Sequence, residues 1–387
     1  MPLSPLPLGY CTNVHPGQTV AEVMGGLDRY TVPIQAQLGR PLAAGLWLAR
    51  PVIDELLTTP DAVARLVDEL TVRGLTCYTL NAFPYGDFHA ARVKEKVYLP
   101  DWTQPERLTY TAGCAAVLAA LLPEGVEGSI STLPLRFKGF DRPPGFGEAA
   151  VRQLVDCARI LARLREDTGR VVRLAIEPEP FCELETTTEA VNFFDTLWQA
   201  AGDREDVVRT HIGVCYDVCH QAVEFEDAAE AVGELDRAGV RINKVQISCA
   251  IQLDRPADNP AALESLRQYV EPRYLHQTFA RLPGGRLVRA IDLTDELLLS
   301  PDADFRSAEC WRIHFHVPVD ANRLGPLGTT RPAVAEALAA VAQLDYAPHL
   351  EVETYTWEVL PGARSTDLIE GLTRELAATA QMVSAAG

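Results

Sequence analysis

The chain has 387 residues, and its 53 acidic residues outnumber its 35 basic residues, so the formal net charge is −18. Hydrophobic residues make up 47% and charged residues 23%, a composition that excludes wholesale disorder and suffices for a large globular core. Lysine occurs at only four positions, and this shortage argues against nucleic acid as the main partner, because phosphate binding needs clustered cations.

The cysteines and the N-terminal segment indicate the compartment. Nine cysteines occur without a C-x-x-C pair or a regular spacing, which predicts reduced thiols rather than a disulfide framework. The first ten residues contain three prolines and no basic residue, unlike a secretory signal. The longest apolar run, residues 112–122, is about half as long as a membrane span requires. We therefore expect a cytoplasmic protein without a membrane span.

Short apolar runs rich in β-branched residues alternate along the chain with segments of helical periodicity. The runs predict eight strands, at residues 8–13, 44–48, 75–80, 128–133, 171–177, 211–216, 242–247 and 349–353. Amphipathic helices are predicted between them at residues 61–73, 148–168, 188–201 and 331–344. Eight repeats of a strand and a helix predict a (β/α)8 TIM barrel, with residues 1–387 in a single domain.

Two long segments must hold the residues that a bare barrel of about 250 residues does not need. Residues 81–107 are rich in aromatic residues, proline and charge. Residues 249–310 contain a predicted helix that begins at Asn259-Pro260 and a predicted hairpin around Pro283-Gly284-Gly285. Both segments follow strands, so we expect them at the C-terminal face, where barrel enzymes carry their chemistry, and we expect residues 249–310 to form a lid.

Ionisable side chains collect at the ends of the predicted strands. Each one alone is also compatible with an ordinary capping, surface or core residue. Carboxylate and imidazole groups that converge from separate strands are, however, the ligands that a divalent metal ion requires, and the joint pattern favours a metal site. The residues concerned are Glu177, Glu179, Asp217, His220, Gln246, His314, His316, Glu351 and Glu353.

Several of these motifs carry a resemblance. The string Gly213-Val-Cys-Tyr-Asp217-Val-Cys-His220, the strand ending in Leu-Ala-Ile-Glu177 and the segment His314-Phe-His316 resemble the xylose-isomerase-like barrel superfamily, which includes endonuclease IV and the ketose epimerases. The segments 10–17, 81–89, 93–102 and 351–357 resemble the EboE family, whose members are described as metabolite-traffic or pathway proteins.

The resemblance to the superfamily implies a divalent metal ion, either Mn, Mg, Zn or Fe. Glu353 matches the glutamate of the eighth strand better than Glu351, because it lies nearer the open end of the barrel. Asn81 stands where the endonucleases carry a zinc-binding histidine, and no histidine occurs near Thr132, which argues against a three-metal nuclease site. The implied metal ligands are Glu177, Asp217, His220, Gln246, His316 and Glu353.

The resemblance also implies roles in catalysis and substrate binding. In ketose epimerases the glutamates after the fifth and eighth strands face each other across the substrate, so Glu177 and Glu353 are the implied catalytic pair. His15 is equally compatible with a hydrogen-bonded loop histidine, and Lys94 with a solvated loop charge. The candidates for substrate binding are His15, Asn81, Lys94, His276 and His314.

The expected function is that of a metal-dependent isomerase or epimerase, or a related lyase, acting on a sugar-like or cyclitol-like polyol. A divalent ion that binds two adjacent oxygens of a hydroxycarbonyl acidifies the carbon between them and stabilises an enediolate, while carboxylates move the proton. Two alternatives stay open: an endonuclease IV-like phosphodiesterase, and a non-catalytic metabolite-binding or traffic protein. The expected partner is a small molecule rather than nucleic acid.

Overall fold

The computed structural model describes residues 3–362 and 367–387. Fourteen strands are found in these residues, and eight of them form a closed barrel. The strands are β1 (Gly9–Cys11), β2 (Ala43–Trp47), β3 (Thr79–Asn81), β4 (Gly128–Thr132), β5 (Val172–Ile176), β6 (Ile212–Asp217), β7 (Ile242–Ile247), β8 (Cys249–Asp254), β9 (Thr278–Arg281), β10 (Leu287–Ala290), β11 (Cys310–Val317), β12 (Arg323–Leu324), β13 (Leu327–Thr329) and β14 (His349–Val352).

The barrel consists of β1 to β7 and β14. Its strands follow the order β1-β14-β7-β6-β5-β4-β3-β2, and every neighbouring pair is parallel. Each of the eight predicted strands overlaps one barrel strand. The predicted (β/α)8 TIM barrel is therefore confirmed.

Helices follow the barrel strands and cover their outer faces. The four helices predicted between the strands are present within about four residues of their predicted ends, and the helix predicted at Asn259-Pro260 begins at Pro260. No helix of the described residues is long and apolar enough to cross a membrane. The helices are α1 (Val20–Gly26), α2 (Val32–Leu38), α3 (Arg50–Thr58), α4 (Ala62–Val72), α5 (Pro105–Leu121), α6 (Phe146–Thr168), α7 (Thr187–Ala201), α8 (Glu205–His211), α9 (Val218–Val223), α10 (Ala228–Arg237), α11 (Pro260–Leu266), α12 (Asp295–Leu299), α13 (Ala303–Ser307), α14 (Arg331–Val341) and α15 (Asp367–Ala386).

The interior of the barrel contains a buried ion pair. Lys244 on β7 places its ammonium nitrogen 2.7 Å from Glu351 Oε2 on β14, and both side chains are fully buried. Burial by itself would lower the pKa of Lys244, but the surrounding groups, with the negative charge of Glu351 first among them, together more than offset this and raise the pKa. The carboxylate of Glu351 lies against Gly45, where a Cβ atom would come within 1.4 Å of Glu351 Oε1, so only glycine fits at this position of β2.

A second sheet is built on the connection that follows β7. Its order is β10-β9-β11-β8-β13-β12, and all its pairs are antiparallel. The strands β9 and β10 flank Pro283-Gly284-Gly285 as the predicted hairpin requires. The long strand β11 carries His314 and His316, so this sheet delivers two imidazoles to the barrel.

Candidate metal and substrate site

Three carboxylates meet at the C-terminal ends of the barrel strands. Asp217 is the last residue of β6, and Glu177 and Glu353 directly follow β5 and β14. One carboxylate oxygen from each of the three lies within 4.8 Å of the others, and all three side chains are buried. Burial, and after it the charges of the neighbouring carboxylates, raises the pKa of Glu177 and of Glu353 well above the usual range. A bound cation would relieve this repulsion.

Amide and hydroxyl groups orient the carboxylates. The side-chain amides of Asn13 and Asn81 both donate to Glu353 Oε1, at 2.8 and 2.9 Å. Asp217 Oδ1 accepts hydrogen bonds from Ser248 Oγ at 2.8 Å and from the backbone N–H of His220 at 2.9 Å. The second of these bonds starts α9, so the same carboxylate caps a helix and faces the site. The sequence analysis missed Asn13 and Ser248. Asn13 ends a predicted strand, so the expectation that residues at strand ends meet at one face of the barrel could have included it.

Three histidines lie beside the carboxylates with their rings in contact. The ring centroids of His220 and His314 are 4.5 Å apart, and those of His314 and His316 are 5.2 Å apart. Each Nδ1 lies within hydrogen-bond distance of an oxygen acceptor, which leaves the Nε2 atoms to face other ligands. The acceptors are Pro178 O (3.0 Å) for His220, Gln277 Oε1 (2.8 Å) for His314 and Glu353 O (2.9 Å) for His316.

Burial keeps two of these imidazoles neutral. It is the main cause that lowers the pKa of His314 well below the usual range and the pKa of His316 to about 4. The Nε2 atoms of both are buried without a hydrogen-bond partner. A neutral imidazole whose Nδ1–H is bound by an oxygen is the form that binds a metal ion through Nε2.

The residues present fit a divalent cation. Besides the two imidazole nitrogens, Asp217 Oδ2 and Gln246 Oε1 are buried without a hydrogen-bond partner, although buried polar atoms are normally paired. Asp217, His220 and His316 offer ligand atoms within 4.8 Å of one another, and Gln246 Nε2 lies 3.5 Å from Glu177 Oε2. The structure thus brings the six residues predicted as metal ligands into one cluster. Their role as ligands stays a prediction.

Glu179 and Glu351, the other two glutamates at these strand ends, differ in position. Glu179 lines the same cavity as Glu177, and it accepts hydrogen bonds from Tyr98 Oη at 2.7 Å and from Gln277 Nε2 at 3.2 Å. Burial raises the pKa of Glu179. Glu351 instead lies in the barrel interior with Lys244. Of the two glutamates at the eighth barrel strand, β14, Glu353 is therefore the one in the carboxylate cluster.

A cavity with about 510 Å³ of atom-free space opens onto the cluster. Polar groups of Asn13, Asn81, Glu177, Glu179 and Glu353 line one part of it together with His220 and His314. Aromatic and aliphatic side chains from residues 81–107 and from the insertion line the remainder.

The residues predicted to bind substrate divide into two groups. Asn81 and His314 line the cavity. Lys94 also lines it, but its ammonium group contacts Glu271, Tyr274 and Asp292 of the insertion.

His15 and His276 are not among the cavity-lining residues. His15 Nε2 lies 2.8 Å from Tyr10 Oη and its ring stacks on Tyr30, while His276 lies between His314 O and Glu271 Oε1 at 2.9 and 2.8 Å. Both histidines have the contacts of structural residues.

Comparisons with known proteins identify the fold. No protein-family model and no curated protein sequence matches the chain, so the resemblance to EboE gains no support. A xylose isomerase-like TIM barrel protein from Mycobacterium smegmatis in complex with magnesium is 10% identical, with 100% of this chain and 99% of that chain covered and a TM-score of 0.57. An IOLI protein with a bound zinc atom is 13% identical, with 99% of both chains covered and a TM-score of 0.50. At these identities the similarity shows the fold alone, a TIM barrel like that of the xylose isomerase-like protein.

Proposed function

We propose that the protein is a divalent-metal-dependent isomerase or epimerase, or a related lyase, that acts on a sugar-like or cyclitol-like polyol through an enediolate. The observation that carries this proposal is the buried cluster of Glu177, Asp217 and Glu353 at the ends of three barrel strands. Around it lie Gln246 Oε1 and His316 Nε2, two atoms that could bind a metal ion and that have no hydrogen-bond partner. Solved proteins of the same fold that hold magnesium or zinc support the choice of a metal ion.

The metal ion would be held by Glu177, Asp217, Gln246, Glu353, and the imidazoles of His220 and His316. When bound, such an ion polarises the oxygens of a hydroxycarbonyl substrate and lowers the pKa of the carbon acid between them. The asparagines that hold Glu353 Oε1 leave Oε2 of the same carboxylate to face the substrate. The network would therefore present a carboxylate in a fixed orientation.

In this proposal Glu177 and Glu353 transfer the proton. A carboxylate that binds a metal ion through one oxygen keeps its other oxygen free, and its lowered basicity would be offset because the same ion acidifies the substrate carbon. Two such groups allow one to remove a proton while the other returns it. This division of labour would invert the reacting carbon, whereas a single group would move the proton between neighbouring carbons. Glu179 is close enough to the same cavity to protonate a substrate oxygen.

The test measures metal content and hydrogen exchange in matched variants. Glu177→Ala, Asp217→Ala and Glu353→Ala should each lose metal, while Glu166→Ala, which removes an exposed carboxylate from α6, should retain it. With a hydroxycarbonyl substrate that is turned over in D₂O, the wild type should place deuterium at the reacting carbon, and Glu353→Gln should reduce the rate by about 10²-fold or more.

The outcomes separate the alternatives. Full metal occupancy in all three alanine variants would refute the metal site. Undiminished exchange in both Glu177→Gln and Glu353→Gln would remove these residues from the mechanism. A carrier without catalytic activity would bind its ligand, lose that binding in the variants and show no exchange in any form of the protein.

A further inference from the structure

Apolar side chains form a wall of the cavity that also contains the carboxylates. Phe83, Phe88, Val93 and Val97 come from residues 81–107, and Leu275 comes from the insertion. Phe88 also packs against Tyr274, with ring centroids 4.9 Å apart, so the two segments form one continuous surface. A polyol without apolar parts would leave much of this surface without a matching group.

The basic side chain at the cavity has no free donor. Among the lining residues that the structure describes, Lys94 is the only lysine or arginine. Its ammonium nitrogen lies 3.0 Å from Glu271 O, 2.6 Å from Tyr274 O and 2.7 Å from Asp292 Oδ2, and its side chain is 6% exposed. An ammonium group has three N–H donors, and these three acceptors use all of them. Lys94 therefore joins the loop to the insertion and offers nothing to an anion.

The charge of the site excludes anionic ligands further. The carboxyl groups of Glu177, Glu179 and Glu353 line the cavity, and that of Asp217 lies beside them, so acidic side chains outnumber the single lysine. A phosphate group in this cavity would be repelled at short range in a medium of low dielectric constant.

We infer that the substrate is an uncharged polyol that carries an apolar substituent, with its hydroxyl groups at the carboxylates and its apolar part against Phe83, Val97 and Leu275. This inference rests on the proposed function for the chemistry at the polar end. It adds that neither a phosphorylated sugar nor a small unsubstituted polyol is the preferred ligand.

Calorimetric binding of three probes tests the inference without requiring turnover. The probes are phenyl β-D-glucopyranoside, methyl β-D-glucopyranoside and glucose 6-phosphate, each measured with the Mn²⁺-loaded protein. We expect the phenyl glucoside to bind at least about tenfold more tightly than the methyl glucoside, because burial of the ring adds apolar contact. Glucose 6-phosphate should bind more weakly than either.

Two variants and a control connect these affinities to the wall. Leu275→Ser should reduce the preference for the phenyl glucoside at least about threefold. Leu299→Ser changes a leucine of the same insertion that is 65% exposed, and it should leave the preference unchanged. Val97→Lys places a new ammonium group at the cavity and should strengthen the binding of glucose 6-phosphate relative to the wild type.

Equal affinity for the two glucosides, or the absence of binding by both, would refute the inference that the substrate carries an apolar substituent. If the wild type binds glucose 6-phosphate more tightly than the methyl glucoside, the inference that the substrate is uncharged is refuted. Either result would leave the metal content and exchange of the alanine and glutamine variants unaffected, so the proposed function can fail or survive independently.

Discussion

The glutamates Glu351 and Glu353 are two residues apart on one strand, and we predict that their substitution has opposite consequences. Glu351→Gln removes the charge that faces Lys244 inside the barrel, where both side chains are fully buried and 2.7 Å apart. It should reduce the stability of the fold and leave the metal-binding residues intact. Glu353→Gln should reduce metal binding and change the stability much less.

The size of the effect follows from the burial of the pair. Removal of one partner from a buried ion pair costs about 3–5 kcal/mol, because the other charge stays buried without compensation. Unfolding of a protein has an entropy of about 2.1 cal/mol/K per residue, which for 387 residues gives about 0.8 kcal/mol/K. The melting temperature of Glu351→Gln should therefore fall by about 4–6 °C.

The double variant Lys244→Met/Glu351→Gln is the control, because it removes both charges. It should be more stable than Glu351→Gln alone. The pKa of Lys244 is raised in the folded state, so the contribution of the ion pair is complete below the unfolded pKa of about 10.4 and disappears only as the pH rises beyond it. In Glu351→Gln burial acts on Lys244 without this charge and lowers its pKa, so the destabilisation should be no larger at pH 9 than at pH 6.

Thermal and urea unfolding of the wild type, Glu351→Gln, Lys244→Met and the double variant are the assays. A loss of less than about 1 kcal/mol in Glu351→Gln would refute the reasoning, since an uncompensated buried ammonium group cannot be that inexpensive. So would a double variant whose loss is the sum of the two single losses.

Three further predictions concern other parts of the molecule. Burial raises the pKa of Glu375 to about 7 despite the hydrogen bonds it accepts from Thr354, Val319 and Trp357, so its contribution to stability is complete below about pH 4.5 and is lost as the pH rises towards 7. The difference in unfolding free energy between wild type and Glu375→Gln should therefore decrease by up to about 3 kcal/mol over this interval. A constant difference would contradict this prediction. Lys94→Met removes three contacts between the loop and the insertion, so amide hydrogen exchange within residues 249–310 should be faster in this variant than in the wild type. Ligand binding to the wild type should slow the same exchange. Equal protection in the variant, the free wild type and the liganded wild type would exclude a lid. Abasic duplex DNA incubated with the protein and Zn²⁺ or Mn²⁺ should stay intact because of the net charge of −18, whereas metal-dependent incision that is lost in Asp217→Ala would favour a phosphodiesterase.

The sequence by itself determined the barrel and most of the cluster of carboxylates and histidines at its C-terminal face. Strand and helix periodicities are local properties, and eight alternations of them leave few architectures other than a closed parallel barrel. In a parallel barrel all strands end at the same face, so residues at strand ends, such as Glu177 and Asp217, could be expected to meet without knowledge of any contact. The same expectation for residues at strand ends would have identified Asn13, which donates a hydrogen bond to Glu353.

The tertiary structure decided which of the remaining polar residues face the cavity. Glu351 and Glu353 lie on the same side of an extended strand, and only the closure of the barrel, which places Lys244 and Gly45 around one of them, distinguishes their surroundings. The acceptors of Lys94 lie 177 to 198 residues away in the insertion. No local pattern encodes contacts over such separations, because they form only when two long connections pack together above the barrel.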